Sequence, residues 1–131
     1  MTSLFSHPTN SPWGEIDYCD DLYPGVFMVT TSSHGGIMIA RDVESLLSPA
    51  ARKLGLRRGG YLCYEEDCDE AVVLRELLDK ALWEIPERVQ DKTKFESSID
   101  ETLQLYHPEY WRSRERGLQN SHCKSYAAAE R

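Results

Sequence analysis

The chain has 131 residues, 40% of them apolar, with a net charge of −7 and a pI near 5.1. That length makes one ordinary domain with a core of its own, so folding requires neither disulfides nor metal. The acidic balance excludes a general phosphate-backbone binder, which needs clustered Lys and Arg, and no run of the sequence approaches the about 18 apolar residues of a membrane span.

Residues 1–10 are polar, with Pro8 and no periodicity, and are expected to form a flexible leader. They hold no basic region followed by a long apolar run, so the expected compartment is the cytoplasm. Cys19, Cys63, Cys68 and Cys123 are irregularly spaced and are expected to be free thiols in that compartment. Ser11-Pro12-Trp13-Gly14 is a turn signal, with Trp13 expected to fold back on the core. Ile16, Tyr18 and Leu22 predict an irregular strand. Pro24-Gly25 then turns the chain into 26–31, whose β-branched and aromatic residues make the clearest strand. Ser33-His34-Gly35-Gly36 reads as a tight connection to a short strand at 37–40, completing an antiparallel hairpin.

Residues 42–54 predict a helix, with Asp42 at its start and a reset at Ser48-Pro49. Arg52, Lys53, Arg57 and Arg58 surround its expected C-terminal end, and Gly55 and Gly59-Gly60 terminate it. Residues 61–64 are expected to add a sheet strand. Leu74, Leu77, Leu78, Ala81 and Leu82 follow helical spacing and predict the strongest helix, opened by Glu65, Glu66, Asp67, Asp69 and Glu70. Phe95, Ile99, Leu103 and Tyr106 predict another amphipathic helix, and Tyr110-Trp111 are expected to close the core. Residues 112–131 are a polar, basic tail, either helical or disordered. The expected fold is α+β, with a small antiparallel sheet of about three strands covered by three or four helices. A single domain is expected over 11–111, with Val26, Met28, Ile39, Leu74, Leu77, Leu78 and Leu82 in its core.

Two short segments contain residue types that can do chemistry. His34 sits in a Gly-rich loop and can serve as a general base; the plainer reading is a hairpin turn whose histidine bonds locally or packs on Trp13. Glu65, Glu66, Asp67 and Cys68 form the other. Carboxylates there can divide acid and base roles, and a cysteine at a helix N-terminus favours the thiolate, whereas neighbouring carboxylates oppose it. The plainer reading is a solvated acidic turn complementing the helix dipole. A nucleophilic site of Cys68 and His34, with Glu66 or Asp67 as orienter, is one hypothesis. Zinc is not expected, because Cys63 and Cys68 lack the usual ligand spacing, and no metal or cofactor is expected elsewhere. No phosphate-binding Gly-rich loop or nucleophile elbow is present in the sequence.

Three motifs in order, Ser11-Pro12-Trp13-Gly14, Thr31-Ser32-Ser33-His34-Gly35-Gly36 and Tyr64-Glu65-Glu66-Asp67-Cys68, span residues 11–82. With the Pro24-Gly25-Val26 turn between the first two, this set resembles a domain of unknown function found in proteins of bacterial plasmids, integrative elements and phages. The resemblance implies a mobile-element context, where small acidic proteins often block a host defence complex; some inhibitors of CRISPR interference are acidic and occupy basic surfaces. The expected function is therefore an interaction protein of that kind. It would bind a basic groove on a host protein or ribonucleoprotein complex through Glu65, Glu66, Asp67, Asp69 and Glu70, without touching nucleic acid or membrane itself. The rival expectation is a small hydrolase or nucleotide-modifying enzyme using His34 with Glu66, Asp67 or Cys68.

Overall fold

A computed structural model of the chain describes residues 5–129, with side chains described as far as Gln119. In chain order it contains β1 (Asn10–Ser11), β2 (Gly14–Glu15), β3 (Tyr18–Tyr23), β4 (Val26–Thr30) and β5 (Gly35–Ala40). A 3-10 turn over Arg41–Leu46 leads to α1 (Pro49–Arg52), β6 (Leu56–Arg58) and β7 (Tyr61–Glu65). Three helices finish the chain: α2 (Glu70–Asp79), α3 (Lys92–Tyr106) and α4 (Pro108–Ala129).

β3 to β7 form one antiparallel sheet of five strands in the order β3-β4-β5-β7-β6, and β1 pairs with β2 in a separate two-stranded ladder. This corrects the expected sheet of about three strands with three or four helices: among the described residues there are five strands in the main sheet, a second small sheet and five helical segments. The extra edge strand escaped the pattern because Leu56, Arg57 and Arg58 are all exposed and carry no apolar alternation. Gly59 and Gly60, at φ 54° and 83°, turn that strand back onto β7 where a helix end was expected. The 42–54 helix is likewise replaced by two pieces. The chain is extended at Ser48, whose hydroxyl accepts from Ala51 N at 3.2 Å and starts α1 at Pro49.

Alternation along the strands divides the core in two. Val26, Ile37, Ile39, Leu62 and Tyr64 are buried beneath the helices, with Met28 partly buried beside them. Phe27, Val29, Met38 and Cys63 point to the opposite face, where Phe5, Trp13 and Ile16 cover them. Of the segment read as a leader, Pro8 is buried and His7 stands edge-on to Phe27 at 5.4 Å. On the helical side, Val72, Val73, Leu74 and Leu77 of α2 are buried, and Ile99, Leu103 and Tyr110 extend the cluster to α3 and α4. Each such fully buried aliphatic side chain contributes about 1.5–3 kcal/mol. Leu78 and Leu82, expected in the core, lie at its margin and are partly buried.

Gly35 and Gly36 are strand residues of β5, not turn residues, and both are buried. A Cβ on Gly36 would run into the Tyr64 carbonyl oxygen and the Trp13 indole, so the glycine permits a close approach of ring to sheet. The turn before them is built by Thr31, whose hydroxyl donates to His34 O at 2.6 Å and accepts from His34 N at 3.1 Å. Among the described residues no helix is long and apolar enough to cross a membrane.

Candidate functional site

β5 and β7 deliver the acidic segment to one place. At the end of β7, Glu66 N donates to Gly35 O at 2.9 Å, extending the pairing one step beyond the ladder. Asp67 then adopts φ 79°, a left-handed conformation that Asp tolerates better than most residues. Asp69 N donates to Glu65 O at 3.1 Å, and α2 begins at Glu70. The five carboxylates therefore gather around the positive end of α2, which favours negative charge.

They are not equivalent. Glu65 and Asp67 are exposed and, among the described residues, make no ion pair. Asp69 is committed within the fold: its carboxylate meets His107 Nε2 at 2.8 Å, tying the start of α2 to the junction of α3 and α4. Glu70 is partly buried. Burial, and then the charges of Glu66 and Asp67, push its carboxyl up to about 7, against the opposing pull of the α2 N-terminus. Glu66, Asp67 and Glu70 form the acidic wall of a groove of about 510 Å³ between α2 and α3, floored by Leu74, Phe95 and Ile99. Asp91 and Lys94 line the far side.

His34 stands outside this groove. Its Nδ1 is 4.0 Å from Glu66 Oε1, at ion-pair range but beyond hydrogen-bond length, and both side chains are well exposed. Cys68 is a free thiol whose pKa is raised by burial and by Asp69, so the thiol form is favoured over the nucleophilic thiolate. Among the described residues no hydrogen bond joins Cys68 to His34. Cys19 and Cys63 are also free, each pushed up to about 11, mainly by burial. Cys123 lies outside the residues whose side chains are described. Among the described residues, no three His, Cys, Asp or Glu side chains are grouped to hold a metal ion.

Sequence reasoning missed two polar clusters that hold the site in place. Glu76, nearly buried on α2, accepts from Ser48 N and from Tyr110 OH, both at 2.6 Å, with Lys80 Nζ at 3.5 Å. Arg75, 4% exposed, reaches Asp100 at 2.8 Å and Glu96 at 2.5 Å on α3, and Asp79 on its own helix. The available signal was a charged pair set inside an apolar stripe, between Leu74 and Leu77. The partners were not legible, because they lie 21 to 34 residues along the chain for Glu96, Asp100 and Tyr110.

A family described as a domain of unknown function (DUF7007) matches residues 6–131. No curated protein and no solved structure matches the chain. The match covers nearly the whole chain, and the chain belongs to that family.

Proposed function

We propose that this DUF7007 domain acts by binding: the acidic turn and groove at the start of α2 engage a basic, partly apolar surface on a protein or ribonucleoprotein partner. The observation that carries the reading is the arrangement of Glu65, Glu66, Asp67 and Glu70 beside a groove with an apolar floor. Glu65 and Asp67, exposed and, among the described residues, without an ion-pair partner, provide a field that attracts positive charge, and the floor of Leu74, Phe95 and Ile99 offers area for a side chain to fill. Asp69 contributes little to that surface, since His107 holds it.

The finer reading is an inhibitor from a bacterial mobile element, working in the cytoplasm by occupying a basic surface of a nucleic-acid-handling defence complex, such as a CRISPR surveillance complex. The motif order, the net charge of −7 and the acidic turn support it. The test is capture of tagged protein complexes from a bacterial host lysate, followed by a nucleic-acid binding assay on whatever complex is retained. A retained complex that loses its nucleic acid when this protein is added is the expected result. Retention with nucleic-acid binding intact overturns the inhibitor reading.

The hydrolase reading built on His34 has weaker geometric support, because His34 misses the groove and Cys68 is held as a thiol. Hydrolase screening of the protein beside its His34→Ala variant separates the two: turnover lost in the variant would favour the enzyme.

A further inference from the structure

Two basic islands are far apart in the sequence, at 52–60 and at 112–116. The fold joins them. A cavity of about 460 Å³ opens between α1 and the first turns of α4, lined by Lys53 from one island and by Arg112 and Arg116 from the other. Other cations of these islands are already spent within the fold. Arg57 holds Glu44 with both oxygens at 2.9 Å, and Arg114 grips Asp79 at 2.7 and 2.9 Å. The side chains of Lys53, Arg112 and Arg116, by contrast, make no hydrogen bond and no ion pair among the described residues. Among the described residues Glu109 is the single carboxylate on the wall, so their side chains give the lining an excess of two positive charges in a chain of net charge −7.

The helical spacing explains the convergence. Arg112 and Arg116 are four apart on α4 and project from one face, with the Ser113 hydroxyl beside them. Tyr110 is buried at the same end of α4 and donates to Glu76, which anchors that end of the helix on the body of the domain while Arg112 and Arg116 stay exposed. Leu54 and Ala50 give the cavity an apolar side.

From this arrangement we propose that the cavity between α1 and α4 binds a small ligand carrying two or more phosphoryl groups. Guanidinium forks suit phosphoryl oxygens, and an ammonium adds a movable point charge. The volume lies within the range of about 300–1,000 Å³ usual for small-molecule sites. A long polyanion is disfavoured, because the acidic remainder of the surface repels its flanks. Among the described residues the site shares no lining residue with the acidic groove, so it stands independently of the proposed partner binding there.

The test is titration calorimetry of the intact protein at low salt with ADP, with inorganic pyrophosphate and with a single-stranded oligonucleotide. ADP or pyrophosphate is expected to bind, and a preference for ADP identifies an organic phosphate as the ligand while equal binding identifies the free phosphate. Arg112→Ala with Arg116→Ala, and separately Lys53→Ala, should each weaken binding on the order of tenfold or more. Glu109→Gln should tighten it. These exposed positions leave the core intact, and circular dichroism of each variant checks that. Absence of binding by both small probes overturns the proposal, as does binding that the substitutions leave unchanged. Tighter binding of the oligonucleotide, lost in the variants, overturns the small-ligand assignment in favour of a nucleic acid.

Discussion

Glu70 decides how negative the groove is near neutral pH. Its carboxyl is raised from an ordinary value of 4.5 to about 7, first by burial and then by Glu66 and Asp67. The folded protein therefore holds a proton between those values that the unfolded chain releases. Its stabilising effect is fully present below pH 4.5 and is lost as pH rises through 7. Glu70→Gln should accordingly be more stable than the parent at pH 8, on the order of 2 kcal/mol, with the difference closing as pH falls below the carboxylate range. Denaturant unfolding at several pH values checks this, and equal midpoints at pH 8 would show Glu70 to be solvated. The presence of acids at 65–70 was legible in the sequence. Which of them are free was not, because that depends on contacts such as Asp69 with His107, 38 residues away.

α2 is the element on which the site depends. One side packs Val72, Val73 and Leu77 on the sheet, while Arg75 and Glu76 fasten it to α3, α4 and the α1 cap. Removing the Glu76 carboxylate leaves the Ser48 N–H and the Tyr110 hydroxyl without their acceptor. Glu76→Ala is expected to cost about 2–4 kcal/mol in denaturant unfolding. Adding Tyr110→Phe should recover part of that loss, since it deletes one orphaned donor; a loss that simply adds would contradict the coupling. The leucine stripe made α2 legible as a helix, and Phe95, Ile99 and Leu103 did the same for α3. β6 was hidden by its exposed arginines, and Gly35-Gly36 reads as a turn in sequence because the neighbours that require glycine there, Val29 O at Gly35 and the Trp13 ring and Tyr64 O at Gly36, are 6 to 28 residues away along the chain.

For the whole molecule, the sheet separates two cores, and the charge is divided as well. The acidic groove lies between α2 and α3, whereas the basic cavity lies between α1 and α4. Composition made the net charge plain, but only the fold shows that 52–60 and 112–116 meet. The most direct test of the binding role is the capture experiment repeated with Glu65→Gln, Glu66→Gln and Asp67→Asn combined, at low and moderate salt. Asn is chosen at 67 because it accepts the left-handed backbone there. Loss of the partner in the variant, together with salt-weakened capture by the parent protein, is the expected result. Capture unchanged by salt and by neutralising the turn would contradict an electrostatic docking site at the start of α2.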